Sequence, residues 1–196
     1  TWPDKYKFRN EMALSILRQK NKMSFDELVR KQYIFDKKWQ IVKKKANLNG
    51  IKLFGDLPFY VAMDSADVWA NPKLFDLDKK LNPIKIAGVP PDYFSIKGQI
   101  WENPIYNWKE HRKSKFEWWK ERIKINEKRF DLLRIDHFRA IISGWCINYG
   151  SENAINGYWK RGPGKMLLEN ILEIMPSERL IAEDLGHITN SVKKII

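Results

Sequence analysis

The chain has 196 residues, of which 43% are hydrophobic and 13% are aromatic, so it can bury a sizeable core and is not a disordered segment. Its formal net charge of +12 raises nucleic acid as a partner, but the basic residues alternate with acids and aromatics in helical patterns, so we expect solvated helix faces and no nucleic-acid partner. The single cysteine, Cys146, excludes an internal disulfide and favours a reducing, cytoplasmic compartment, and the apolar runs are too short to span a membrane.

The first predicted element is one long amphipathic helix. Ser24, followed three residues later by Glu27, is typical of a capping box, which predicts that the helix begins there. Apolar side chains and one glutamine then recur at steps of three and four residues, and Asn49-Gly50 is typical of a helix end. The recurring residues are Phe25, Leu28, Gln32, Phe35, Trp39, Val42 and Ala46.

An apolar run directly after this helix predicts a β-strand. Residues 50–57 lead into Pro58, which should end regular pairing because proline has no N–H to donate. The carboxylate of Asp56 is therefore expected at the C-terminal tip of this strand. A strand that follows a helix in this way favours an α/β fold.

Residues 64–108 show little regular periodicity, and they contain five prolines and two glycines. A loop of this length inside a compact domain is usually either functional or disordered. Its aromatic side chains favour an ordered, lid-like insertion within one domain that covers residues 1–196. These side chains are Tyr93, Phe94, Trp101, Tyr106 and Trp108.

Two more helix–strand pairs follow. A second helix is predicted at 109–130 and a second strand at 132–138, and a third helix after residue 164 precedes a third strand at 179–183. Consecutive units of this kind predict a parallel sheet. The side chains expected to face inward are Phe116, Trp119, Ile123 and Phe130 in the second helix, and Leu167, Leu168, Ile171 and Leu172 in the third.

Two of these strands end in an acid. Asp136 follows the run Leu-Arg-Ile at 133–135, and Glu183 follows Leu-Ile-Ala at 180–182. Because parallel strands end at one edge of a sheet, the two side chains should be neighbours there. Retaining glycosyl transfer uses such a pair, one acid as nucleophile and the other as proton donor, with the carboxyl groups about 5–5.5 Å apart. The alternative is that each acid caps a helix or pairs with a nearby arginine.

The neighbours of these acids suit different roles. Arg134 precedes Asp136 by two residues, so both side chains point to the same face of the strand, and a cation there favours an ionised nucleophile. Glu183 must instead carry a proton, which the negative charge of Asp136 and Asp184 would favour. His137 should point to the other face unless the strand ends and the backbone turns.

Several motifs occur together and in order. They include Gly-Asp-Leu-Pro at 55–58, Asp-Ser-Ala-Asp-Val-Trp at 64–69, Ala-Gly-Val-Pro-Pro-Asp-Tyr-Phe-Ser at 87–95, Gly-Gln-Ile-Trp-Glu-Asn-Pro-Ile-Tyr at 98–106, Arg-Ile-Asp-His-Phe-Arg at 134–139, Gly-Tyr-Trp-Lys-Arg-Gly-Pro-Gly at 157–164 and Ala-Glu-Asp-Leu-Gly at 182–186. Each motif is weak evidence alone. Together, over almost the whole chain, they resemble those of the 4-α-glucanotransferases (amylomaltases or disproportionating enzymes, glycoside hydrolase family 77).

The resemblance implies a partial (β/α)8 TIM barrel, strands three to five with their helices, in which the loop 64–108 is a lid and substrate-binding loop. It implies retaining transfer of α-1,4-glucan segments between a donor and an acceptor, either maltooligosaccharides or starch- or glycogen-type glucans. Asp136 falls on the family's nucleophile and Glu183 on its proton donor, with Arg134 in the same motif as the nucleophile. No cofactor and no metal is implied. The family's sugar-contacting positions fall on Asp56, Asp92, Trp101, His137 and Asp184.

The chain departs from the family pattern at three points. Glu102 and Ala140 stand where the family usually has glycine. A third acid, which the family carries in a Thr-His-Asp motif on a later strand, does not occur in residues 1–196. The N-terminal Thr1 also lacks the features of a natural start. We therefore expect an internal fragment that aggregates or stays partly folded, and that shows no measurable transfer activity, when it is expressed alone.

Three other readings compete with this one. A retaining α-amylase-type hydrolase would use the same two acids, but the motif at 87–95 belongs to the transferase pattern. A non-catalytic glucan-binding module would need the aromatic residues without the paired acids, and both are present. A nucleic-acid binder would explain the charge, but no recognised nucleic-acid motif accompanies it.

Overall fold

The computed structural model describes residues 2–183 and 189–193. The chain divides into two compact units, Thr1–Lys52 and Leu53–Ile196. Within the described ranges, the first unit is helical and the second contains the β-strands. The protein is therefore of the α/β class, as predicted.

The helices and strands have the following bounds. The helices are α1 (Asp4–Lys7), α2 (Glu11–Lys20), α3 (Lys22–Leu48), α4 (Ala66–Ala70), α5 (Trp108–Lys113), α6 (Glu117–Arg129), α7 (Lys165–Leu172) and α8 (Asn190–Lys193). The strands are β1 (Phe54–Leu57), β2 (Lys85–Val89), β3 (Gln99–Pro104), β4 (Leu132–Ile135), β5 (Ser143–Asn148), β6 (Tyr158–Arg161) and β7 (Leu180–Ala182). Short 3₁₀ helices occur at Pro72–Leu74, Phe138–Ile141 and Ser177–Arg179.

The long helix α3 is present, but it does not begin at the predicted capping box. Ser24 lies inside the first turn, because Asn21 both closes α2, through its N–H to Leu17 O at 3.1 Å, and opens α3 directly. The predicted end is confirmed, since Asn49 is the C-terminal cap and Gly50 has a φ of +73°. None of the 27 residues of α3 is buried. No helix in the described ranges is both long enough and apolar enough to cross a membrane.

The three predicted strands form a parallel sheet in the described part of the chain. Its order is β1-β4-β7, with Asp56 opposite Arg134 and Ile135 opposite Ala182. In the middle strand, Leu133 and Ile135 are buried, with 0% and 1% of their surface exposed, whereas Ile181 in the outer strand β7 is exposed. Charged residues follow at the C-terminal ends, so the sheet brings its acids to one edge.

The structure also contains a second sheet, which the sequence did not predict. It is antiparallel, with the strand order β3-β2-β5-β6. Two of its strands fall within the segment 64–108, which was expected to lack regular periodicity, so this sheet adds to the predicted parallel one. The strands are short, and a register shift between Ile86 and Gly88 interrupts the β2–β3 pairing. Such a shift interrupts the alternation of apolar and polar residues by which strands are recognised, so these strands could not be predicted from periodicity.

The predicted helix at 109–130 is two helices. Lys115 and Phe116, with φ of 49° and 58°, break it between α5 and α6. The turn places the ring of Phe116 in the core, where it is 1% exposed, and this burial offsets the cost of a left-handed backbone. Trp119 and Ile123 are buried, as predicted. In α7, Leu167 and Ile171 are buried and Leu172 is exposed.

An aromatic cluster fills the core of the second unit. Tyr106 is fully buried, and its hydroxyl donates a hydrogen bond to Phe59 O at 2.6 Å. His111 is buried against the rings of Tyr106 and Trp108 at centroid distances of 5.3 and 5.2 Å. Burial lowers the pKa of His111 to about 4, so the imidazole is neutral at neutral pH and packs as an aromatic ring.

Candidate active site

Three carboxylates lie at the C-terminal edge of the parallel sheet. Asp56 is near the end of β1, and the N–H of Asp136 donates to Leu57 O at 3.0 Å, which continues the pairing beyond β4. The N–H of Glu183 donates to Ile135 O at 3.2 Å directly after β7. Backbone pairing therefore holds the three acids on neighbouring strand tips.

The guanidinium of Arg134 joins the three carboxylates. Its Nε and Nη2 donate to the two oxygens of Asp56 at 2.9 and 2.8 Å. Nη2 also donates to Asp136 Oδ1 at 3.0 Å, and Nη1 lies 3.6 Å from Glu183 Oε1. The pKa of Arg134 is raised, first by the hydrogen bond to Asp56 and then by the negative charge of the three acids. One fixed cation therefore brings Asp136 and Glu183 side by side.

The environments of the two predicted catalytic acids differ. The side chain of Glu183 is 17% exposed, whereas that of Asp136 is 40% exposed. A shielded acid suits proton donation and an accessible carboxylate suits attack on a sugar carbon. Within the described ranges, no group of three or more His, Cys, Asp and Glu side chains is arranged to hold a metal ion.

His137 turns the chain directly after β4. Its φ of 52° is left-handed, and the buried 3₁₀ helix Phe138–Ile141 follows. In this conformation the N–H of His137 donates to Glu183 Oε2. Arg134 and His137 thus each approach one oxygen of the Glu183 carboxylate. Because the strand has ended and the backbone turns at His137, its side chain does not follow the alternation of β4.

The rings of Trp101 and His137 contact each other, and the backbone N–H of His137 contacts Glu183. The ring of His137 meets the ring of Trp101 edge-on, with centroids 4.8 Å apart. Trp101 lies on β3, not on an irregular loop, and its Nε1 donates to Gln99 Oε1 at 3.0 Å. The structure therefore brings this predicted sugar-contacting residue to the site.

Tyr60 is part of the same cluster and was missed in the sequence. Its ring centroid lies 6.4 Å from that of Trp101 and 6.2 Å from that of His137. The residue follows β1 by three positions, in a stretch without regular pairing, so alternation could not assign its side chain. No sequence pattern indicates this position; the structure shows that a Cβ at Gly144 would lie 2.2 Å from the hydroxyl of Tyr60, so the close packing requires glycine there.

The close approach of Tyr60 gives a testable prediction. We expect Gly144→Ala to lower the free energy of unfolding by about 1–3 kcal/mol, because the new methyl group would overlap the Tyr60 hydroxyl. Without the hydroxyl, the nearest atom of the ring lies 3.5 Å away, which is an ordinary contact. The double variant Gly144→Ala, Tyr60→Phe should therefore recover most of the loss in denaturant unfolding. A double variant that is as unstable as Gly144→Ala would contradict this explanation.

The remaining predicted residues have different positions. The Oδ1 of Asp92 accepts the N–H groups of Phe94 and Ser95 at 2.9 and 2.8 Å, so this carboxylate organises its own loop between β2 and β3. Asp184 lies outside the described residues. Glu102 has a φ of 60°, a backbone that favours glycine, and Ala140 is buried in the 3₁₀ helix after His137.

Comparison with known proteins shows the family to which the chain belongs. The family model described as 4-alpha-glucanotransferase, glycoside hydrolase family 77, matches residues 1–196. A 4-alpha-glucanotransferase of Aquifex aeolicus is 47% identical over 98% of this chain and 40% of its own length. A chloroplastic or amyloplastic 4-alpha-glucanotransferase of Solanum tuberosum is 43% identical over 99% of this chain and 34% of its own length.

Solved structures also resemble the chain. The amylomaltase of Streptococcus agalactiae in complex with acarbose has a TM-score of 0.92 and 42% identity, over 99% of this chain and 39% of that chain. The amylomaltase of Corynebacterium glutamicum has a TM-score of 0.73 at 18% identity, over 83% of this chain and 23% of that chain, and this likeness concerns the fold alone. The chain spans at most about two fifths of these relatives.

Proposed function

Because this chain belongs to the 4-alpha-glucanotransferases of glycoside hydrolase family 77, we propose that the protein containing it transfers segments of α-1,4-glucan from one chain to another. The donors and acceptors would be maltooligosaccharides or starch- or glycogen-type glucans. The observation that carries the proposal is the position of Arg134, whose guanidinium lies 3.0 Å from Asp136 and 3.6 Å from Glu183. It holds the two acids that a retaining mechanism needs at neighbouring strand tips.

The proposed reaction has two displacements at the same sugar carbon. In the first, a carboxylate oxygen of Asp136 bonds to C1 of the donor glucosyl unit, the bond from C1 to the leaving oxygen breaks, and Glu183 gives that oxygen its proton. In the second, the 4-hydroxyl oxygen of an acceptor bonds to C1 and its proton goes to Glu183. As that bond forms, the bond from C1 to Asp136 breaks, and the two displacements together retain the configuration at C1.

The sugar-binding part of the site is also a proposal. Trp101 would stack on a sugar ring, since an indole beside the carboxylates offers a flat apolar face. Asp56 and Asp184 would bind hydroxyl groups. Asp92, which fixes the loop between β2 and β3, would act in the lid that residues 64–108 provide. By excluding water, this lid would let the glucosyl enzyme wait for a sugar acceptor.

We further propose that β1, β4 and β7 are strands three to five of a (β/α)8 barrel. The parallel order, with both outer strands lacking a further partner among the described residues, is consistent with a sheet that continues on each side. Residues outside this chain would then complete the site, including its third acid. We also propose a cytoplasmic location, which the single Cys146 favours.

Product analysis of a maltooligosaccharide digest tests the proposed function. Full-length protein incubated with maltotriose should yield both longer and shorter oligosaccharides without an increase in total reducing ends, because transfer conserves them. A steady increase in reducing ends would favour the α-amylase-type hydrolase. Binding of glucan without any new product would favour the glucan-binding module.

A further inference from the structure

Strand β3 carries a bulge where it is paired with β2. Gly88 pairs with Ile100 on one side of the bulge, and Ile86 pairs with Pro104 on the other. Three residues of β3 therefore lie opposite one residue of β2, Ala87. Because the pairing on both sides fixes the ends of this segment, its extra residues must leave the ladder. Bulges of this kind occur next to active sites, where they redirect a side chain.

Glu102 is the middle residue of the β3 bulge, which we define as residues 101–103. Its φ of 60° is left-handed, a backbone that glycine adopts without strain and glutamate does not. The side chain is exposed and makes no hydrogen bond or ion pair within the ranges that the structure describes. No contact of the carboxylate in these ranges offsets the strain, so the pairing on both sides of the bulge imposes the conformation.

Trp101 is the first residue of the β3 bulge and the one that reaches the site. It packs in the hydrophobic cluster that includes Tyr60, whereas the preceding residue, Ile100, packs in a separate cluster. The indole contacts the rings of His137 and Tyr60, at centroid distances of 4.8 and 6.4 Å. The N–H of His137 in turn donates to Glu183. The bulge therefore joins the regular part of the β2–β3 ladder to an indole at the site.

We propose that Glu102 is a positioning residue that acts through its backbone: its left-handed conformation closes the β3 bulge and directs the Trp101 indole toward the glucan. This role rests on the proposed function, in which Trp101 stacks on a sugar ring. The carboxylate of Glu102 takes no part in it. A residue that accepts a left-handed backbone should therefore serve as well as glutamate, and a β-branched residue, which accepts it poorly, should not.

A set of Glu102 variants in the full-length protein tests the proposal. Glu102→Gly and Glu102→Gln should keep kcat and the KM for a glucose acceptor within about twofold of wild type, because neither removes the left-handed backbone. Glu102→Gly should also raise the midpoint of thermal unfolding by roughly 1–2 °C, since glycine relieves the strain. Glu102→Val should raise the acceptor KM by roughly 3- to 10-fold, as expected when a stacking contact is lost, and leave kcat within about twofold.

Two further variants show whether the effect is specific and whether it passes through Trp101. Asn148→Val is the matched control, because Asn148 is also an exposed strand residue but has no left-handed backbone, and its acceptor KM should equal that of wild type. If the bulge acts through Trp101, Glu102→Val combined with Trp101→Ala should be no worse than Trp101→Ala alone.

The possible outcomes separate a backbone role from a carboxylate role. A raised acceptor KM in Glu102→Gly or Glu102→Gln would show that the carboxylate itself contacts the glucan, and would overturn the proposal even if Glu102→Val did not fold. A wild-type KM in folded Glu102→Val, or losses that multiply in the double variant, would contradict it as well. A wild-type protein that makes no transfer products would instead overturn the proposed function, and this role with it.

Discussion

Asp136→Asn is expected to abolish glucan transfer, with a fall in kcat of about 10⁴- to 10⁶-fold. The amide nitrogen and oxygen of asparagine are poor nucleophiles, so no glucosyl enzyme forms. The fold should persist, since the N–H of residue 136 still donates to Leu57 O and the side chain is 40% exposed. Initial rates of maltotriose disproportionation, compared with thermal unfolding, measure both effects.

Glu121→Gln is a matched control for this variant. It is the same kind of acid-to-amide change in the second unit, on the exposed side of α6, where Glu121 pairs with Lys124 at 2.6 Å. Transfer should remain near the wild-type rate, because an exposed pair of this kind contributes little. Transfer by Asp136→Asn at more than about one hundredth of the wild-type rate would show that another group is the nucleophile.

Arg134→Ala is expected to lower kcat by about 10²- to 10³-fold, because the cation that holds three carboxylates in place is lost. Asp56, Asp136 and Glu183 would then repel one another, and Asp136 and Glu183, the proposed catalytic acids, would separate. Arg134→Lys should recover only part of the loss, since a single ammonium group cannot donate to both oxygens of Asp56 and also reach Asp136. Steady-state kinetics of the two variants measure the difference.

A structural control distinguishes this role from general loss of an arginine. Arg179, which directly precedes β7 at the end of that strand opposite Glu183, donates to Glu127 Oε1 at 2.7 Å and to Phe130 O at 2.8 Å. Arg179→Lys should lower thermal stability with little effect on kcat. If Arg134→Lys behaved in the same way, with lower stability and unchanged kcat, Arg134 would be a scaffold residue only.

Local rules were sufficient for the part of the site that lies on strands. The spacing of Arg134 and Asp136 placed both side chains on one face, and the ion pair at 3.0 Å confirms it. The apolar runs before Asp136 and Glu183 predicted covered parallel strands, and their pairing is present. Residue spacing within one strand is a local property, so one sequence is enough to predict it.

Features that depend on contacts between distant segments were not predictable in this way. The antiparallel sheet pairs β2 with β5 across more than 50 residues, and the pattern of its short, bulged strands does not reveal its partners. The break at Phe116 depends on the core space that its ring fills. Tyr60 joins Trp101 and His137 through a loop, and only the close approach to Gly144 indicates why that packing is allowed.

Mapping the covalent intermediate tests the retaining mechanism most directly. Glu183→Gln in the full-length protein should still react with α-glucosyl fluoride, because fluoride leaves without a proton, but the second step lacks its base. Mass spectrometry should then show protein heavier by one glucosyl group, with the added mass on the peptide that contains Asp136. Added azide, which needs no base, should release α-glucosyl azide from it. An adduct on another residue, or β-glucosyl azide with no adduct, would contradict the assignment of Asp136 as the nucleophile of a retaining transfer.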